Sequence, residues 1–170
     1  MKTNEEMQEF ILSTDREMCK KSFKYFFVDI LGFMYNHHHQ SWKEGLEESQ
    51  YYCVKASRDH GKSVFFMAYA LWLAAFNPGK HIMIFSHSLE QTLEHMRFVR
   101  NLIEGNDVLR HLKPEGKPWA KSYFEFSNGS RMMAKSVGGA TRGFHPDVVV
   151  CDDILWLSLI HISEPTRPRI

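Results

Sequence analysis

The chain has 170 residues, 44% hydrophobic and 24% charged, which is enough for one domain with a real core and ordinary for a globular protein. Its formal net charge of +1 supplies no overall basic field. That argues against a small stand-alone nucleic-acid-binding module, but not against a motor whose DNA contacts sit on one face or in another domain. The polar, acidic N-terminus (MKTNEEMQEF) is not a secretory signal, and no apolar stretch reaches the roughly 18 residues of a membrane span.

Over residues 1–35, Phe10, Ile11, Phe23, Phe26, Phe27, Ile30, Leu31 and Met34 recur at helical spacing, and the helical segment is expected to end near Gly32 and Asn36. Residues 36–50 are polar and read as a loop with room for a short helix. Their three consecutive histidines, His37, His38 and His39, cannot all face one ion from a loop, and no Cys–His partner stands at zinc spacing. His87, His95, His111 and His145 read as polar surface or turn residues. Tyr51–Lys55 (YYCVK) predicts a short strand. An apolar, buried helix follows over 63–76, stopped by Asn77-Pro78-Gly79.

His81–Phe85 predicts a buried strand, and Leu89–Ile103 a helix with Leu93, Met96, Val99 and Ile103 on its apolar face. Ser122–Phe126 and Arg131–Ala134 flank Asn128-Gly129, a hairpin signal. Gly138–Pro146 is a glycine-containing loop, and Asp147–Cys151 (DVVVC) a continuous apolar strand running into two aspartates. Cys53 and Cys151 fall in apolar runs and are expected to be small buried hydrophobes. Three scattered cysteines form neither a disulfide framework nor a metal pair, which suits a reducing, cytosolic setting. Apolar strands alternating with helices imply an α/β fold with a mainly parallel sheet covered on both faces.

Leu157–Arg167 (LSLIHISEPTR) looks like the in-frame translation of a common sequencing-library adapter; the alternative is a genuine amphipathic tail. The adapter reading divides the chain into an N-terminal helical segment, 1–50, a core that is incomplete on its C-terminal side, 51–156, and a tail, 157–170, set aside from fold reasoning. A core cut after Trp156 is expected to be inactive by itself.

Two segments carry chemistry. Ala56-Ser57-Arg58-Asp59-His60-Gly61-Lys62-Ser63 follows a predicted strand and opens a predicted helix, the setting of a phosphate-binding loop. Gly61 would let backbone N–H groups approach phosphate oxygens, Lys62 would bring a charge to the β- and γ-phosphates, and Ser63 a hydroxyl to Mg²⁺. Ala56 stands where the pattern has its first glycine. The second segment is Asp152-Asp153 at the end of the apolar strand, the end beyond which parallel sheets bind ligands. Asp152 would hold Mg²⁺, and Asp153 would sit where a water-polarising acid is expected. Together they imply a P-loop NTPase that binds ATP with Mg²⁺.

The ASRDHGKS loop, the SHS turn, the FEFSNGSRMMAKSVGG hairpin, the TRGFHPD loop and the VVVCDD strand, in that order, resemble the ATPase domain of phage terminase large subunits over about residues 22–155. The resemblance implies an ATPase motor that couples hydrolysis to movement of double-stranded DNA into procapsids. It also implies a homo-oligomeric ring, contacts with a portal protein and a small terminase subunit, no membrane association, and work in the cytoplasm of an infected bacterial cell. Arg58 matches a basic position in the family's loop, and Arg142 a position that can complete a neighbour's site. Gln40 and Trp42, with Tyr35 behind them, are candidates for the adenine. Two alternatives remain: a helicase-like ATPase, whose acidic signature differs at Asp153-Ile154, and a non-catalytic nucleotide-binding module, which the departures at Ala56 and Asp153 leave open.

Overall fold

The computed structural model of the chain describes residues 3–114, 119–136 and 144–153. Helix α1 (Asn4–Lys21) opens on a capping box: Glu6 N–H donates to Thr3 Oγ1 at 3.3 Å and Thr3 N–H to Glu6 Oε2 at 2.9 Å. A short α2 (Phe23–Tyr25) and a π-helical turn, Phe26–Ile30, carry the chain to Gly32, whose φ of +75° lets it leave the helix. Phe23, Phe26 and Phe27 of this stretch are buried, whereas Phe10 and Ile11 of α1 are more than half exposed and face away from the core.

Residues 36–50, expected to be mostly loop, instead form α3 (His37–Glu48). This helix buries His39 and Trp42, and the pairs Gln40–Glu44 and Lys43–Glu47 brace its outer face at i, i+4. The segment offers only Trp42 and Leu46 as apolar positions, too few to mark a helix whose buried face is completed by a histidine. The next segment, Tyr51–Lys55, was expected to be a strand but finds no ladder partner among the described residues; it tucks Val54 against the core and leaves Tyr51, Tyr52 and Cys53 exposed.

Helix α4 (Lys62–Phe76) matches its expected span, and Phe65, Met67, Ala68, Ala70, Leu71 and Ala74 are fully buried. It packs on β1 (His81–Ser86) and β4 (Val148–Asp152), while α5 (Leu89–Glu104) packs on β1 and β3 (Arg131–Ser136). A one-turn α6 (Asp107–Arg110) follows, then β2 (Tyr123–Glu125). Strand order is β2-β3-β1-β4. β1 pairs in parallel with β3 and β4, and β2 pairs antiparallel with β3 through the predicted hairpin, so the sheet is mixed and only partly parallel. The architecture is therefore α/β, a four-stranded mixed sheet flanked by helices. β4 was expected to be buried on both faces; Val149 is 50% exposed and Cys151 is also exposed, so one face of this edge strand lies open.

The Asn128-Gly129 turn does more than reverse the chain. Asn128 Nδ2 donates to the carbonyls of Ala74 and Ala75, satisfying the last turn of α4, and Gly129 takes φ +81°. Ser130 Oγ, fully buried, accepts from Lys80 N–H at 3.1 Å and donates to Asn77 O at 3.2 Å, locking the hairpin to the loop before β1. Ser130→Ala strands both groups and is expected to cost about 1–3 kcal/mol of unfolding free energy in chemical denaturation; a change inside about 0.5 kcal/mol, the range of ordinary surface substitutions, would mean the lock carries nothing.

Candidate functional site

The loop from Ala56 to Ser63 turns sharply into α4. Gly61, the cap residue, adopts φ +69°, and its carbonyl accepts the first helical bond from Phe65 N–H at 2.9 Å. Asp59, two residues earlier, also holds a left-handed φ of +66°. Lys62 Nζ folds back over the loop and donates to Ala56 O and Ser57 O, each at 2.7 Å, while a His60 ring nitrogen lies 3.0 Å from Arg58 O. The Arg58 side chain is exposed and makes no bond among the described residues. A concave loop feeding the positive end of a 15-residue helix, with a lysine at hand, is suited to an anion.

Asp152 reaches this loop from the last position of β4, 89 residues away, and Ser63 Oγ donates to its Oδ2 at 2.6 Å. On the other side, His95 of α5 places Nε2 2.9 Å from the same oxygen, at ion-pair distance but with its N–H out of line for a hydrogen bond. Burial acts to raise the Asp152 carboxyl, yet His95, Ser63 and the nearby Lys62 charge outweigh it and hold the pKa below its ordinary value. Asp152 is thus a buried carboxylate. A hydroxyl can donate to it and still turn lone pairs to a cation, and hard oxygen donors of this kind fit Mg²⁺. Among the described residues no group of three or more His, Cys, Asp or Glu gathers, so any Mg²⁺ here would lean on phosphate oxygens and water, as Mg²⁺ commonly does. Asp153 follows with φ +52° and an exposed side chain that makes no bond among the described residues. Arg142 lies outside the described residues, as do 137–141 of the preceding loop and the whole 157–170 tail.

Beside the loop lies an open cavity of about 410 Å³, walled by Phe27, Phe33, Met34 and His39 and closed on its other side by residues 59–61. Its volume falls within the about 300–1,000 Å³ of small-molecule sites, and its walls are mostly apolar with a few polar groups. The expected adenine residues do not line it. Gln40 is exposed, accepting from Tyr35 Oη and donating to Glu44, and Trp42 is buried against Phe65 and Phe66. Neighbouring residues of the same helix face the cavity instead, because a step of one residue turns a helical side chain through about 100°.

His39 Nδ1 accepts Asn36 N–H at 3.1 Å, so the neutral ring carries its proton on Nε2, which faces the backbone of His60 and Gly61. Burial, reinforced by His38, holds the His39 pKa below its ordinary value. Stability from neutral His39 is therefore fully present above the unfolded pKa of about 6.5 and is lost as pH falls from there toward the lower folded pKa. Denaturation midpoints measured from pH 7.5 down to about 5 are expected to fall more steeply for the parent than for His39→Phe. Parallel curves would remove His39 from the account.

Residues 53–164 match the sequence profile of the family described as terminase large subunit, T4likevirus-type, N-terminal. The chain belongs to this family. No match was found among curated proteins. In this terminase large-subunit chain the matched stretch holds both the 56–63 loop and Asp152-Asp153, whereas the π-helical turn, the segment after it and α3, which wall the cavity on one side, precede it. No helix among the described residues is long and apolar enough to cross a membrane.

Proposed function

We propose that this terminase large-subunit chain carries the nucleotide site of an ATP-hydrolysing DNA-packaging motor, with the 56–63 segment as the phosphate loop of a P-loop NTPase. The observation that carries the reading is the meeting of Ser63 and Asp152 at 2.6 Å, at the mouth of a loop that already holds Lys62 over its carbonyls. In that role Lys62 exchanges its two carbonyl partners for β- and γ-phosphate oxygens, and the N–H groups of Gly61 to Ser63 cradle the phosphates. Ser63 and Asp152 hold Mg²⁺, which when bound offsets phosphate charge. Asp153 orients the attacking water from its exposed position after β4, and Arg142 completes the site of a neighbouring copy. The purine would lie in the cavity, against the wall of Phe33, Met34 and His39, rather than on Gln40.

Family membership supports the wider setting: a homo-oligomeric ring moving double-stranded DNA through a portal protein, with a small terminase subunit, in the cytoplasm of the infected cell. Titration of the protein with a fluorescent N-methylanthraniloyl ADP, with and without Mg²⁺, tests the site. Saturable binding that unlabelled ATP displaces, and that weakens in Ser63→Ala only when Mg²⁺ is present, is expected. No binding in either condition sinks the reading.

A further inference from the structure

His95 is not part of the loop, the acidic strand end or the cavity, yet its imidazole occupies the second side of Asp152. We propose that His95 is a positioning residue that fixes the rotamer of the metal-holding carboxylate. Four observations converge on it. Nε2 lies 2.9 Å from Asp152 Oδ2, and the two side chains are only 13% and 11% exposed, so water has little room to substitute. Ser63 donates to the same Oδ2, which leaves Oδ1 without a bond among the described residues. Ser86, the register partner of Asp152 on β1, is fully buried but makes no bond to it, so this neighbour on the sheet does not set the carboxylate's angle. Finally, α5 delivers His95 from a fixed base: its neighbour Met96 is fully buried, and Thr92, one turn earlier, donates to Lys135 O on β3 at 3.2 Å.

A carboxylate held on two sides through one oxygen presents the other in a defined direction. Removing such outer contacts around metal ligands commonly costs about 10- to 100-fold in metal affinity. The inference rests on the reading of Asp152 as the metal carboxylate and adds α5 to the elements that set the site's geometry.

The test is Mn²⁺ affinity, read from the spin-resonance signal of free Mn²⁺ in protein saturated with ADP, alongside fluorescent ADP affinity in EDTA. His95→Ala is expected to weaken Mn²⁺ by about 10- to 100-fold while leaving metal-free ADP affinity unchanged, and His95→Gln, whose flexible amide can turn an N–H toward Asp152 Oδ2, is expected to recover most of the loss. Mn²⁺ affinity of His95→Ala within twofold of the parent overturns the proposal. So does an equal loss of metal-free ADP binding, which would mark a purely structural role, and so does a glutamine variant as weak as alanine. Asp152→Asn separates the layers. If it binds Mn²⁺ like the parent, the reading of the whole site fails; if it loses Mn²⁺ while His95→Ala keeps it, only the role of His95 fails.

Discussion

Lys62→Ala is expected to weaken ADP and ATP binding by about 10- to 100-fold, the equivalent of one charge-assisted hydrogen bond worth about 1.5–3 kcal/mol. Any turnover by the packaging machine should fall further, because a cation at the γ-phosphate acts most strongly on charge that develops during transfer. The fold should not suffer. The two carbonyls that Lys62 now engages, Ala56 O and Ser57 O, lie on a largely exposed loop where water can replace the ammonium. The denaturation curve is therefore expected to move by no more than about 0.5 kcal/mol. Binding lost at constant stability is the signature of a phosphate lysine. A fluorescent ADP affinity within twofold of the parent would show that the loop is an ordinary turn into a helix with a surface lysine.

Phe65→Ala should do the reverse and strike the fold first. Phe65 is fully buried three residues after Lys62, with rings from three separate segments around it: Phe23 edge-on at 5.3 Å, Phe27 at 5.8 Å, His39 stacked at 5.1 Å and Trp42 at 5.4 Å. Truncation leaves a cavity where the π-helical turn, α3 and α4 meet, and the expected cost is about 3–5 kcal/mol. Against a typical total of about 5–15 kcal/mol that is enough to unfold a weak domain. Phe65→Leu keeps most of the volume and is expected to retain the fold, with a cost nearer about 1.5 kcal/mol. Because the His39 ring that stacks on Phe65 also walls the cavity, nucleotide affinity in the leucine variant should drop although no ligand-facing residue has changed. A loss under about 1 kcal/mol in Phe65→Ala, typical of an average site, would mean that the aromatic cluster is not what binds α3 to α4.

The parts of the site legible in the sequence were those whose signal is local. Gly61-Lys62-Ser63 announces a turn into a helix, four apolar residues ending in Asp152 announce a strand with an acidic tip, and Asn128-Gly129 announces a hairpin; each lies where its short-range chemistry puts it. What escaped depends on which way a helix is rolled or on what lies across the sheet. His95 looks like any polar residue of an amphipathic helix, and only the packing of α5 on β1 and β3 brings it to Asp152. Gln40 and His39 are adjacent, and which of them borders the cavity is a single step around α3, fixed by Phe65 and Trp42 rather than by anything within the motif. The strand expected at Tyr51–Lys55 failed for a related reason: strand propensity says what a segment tolerates, whereas a strand exists only where a ladder partner is supplied.

Both acidic residues that flank the proposed chemistry, Asp59 and Asp153, hold left-handed backbone angles, which aspartate tolerates better than most L-residues but only glycine adopts freely. Such a conformation costs up to roughly 1–2 kcal/mol, less for aspartate than for most residues, so glycine at either position would relieve backbone strain in the folded chain. Every aspartate codon is one base away from a glycine codon. Under selection for thermal endurance alone, short mutational routes to a tougher protein would run through the proposed nucleotide site and erase two of its carboxylates. Robustness and turnover are thus opposed at the same two codons, and a stability screen of this domain that omits a functional readout should enrich glycine at 59 and 153 first.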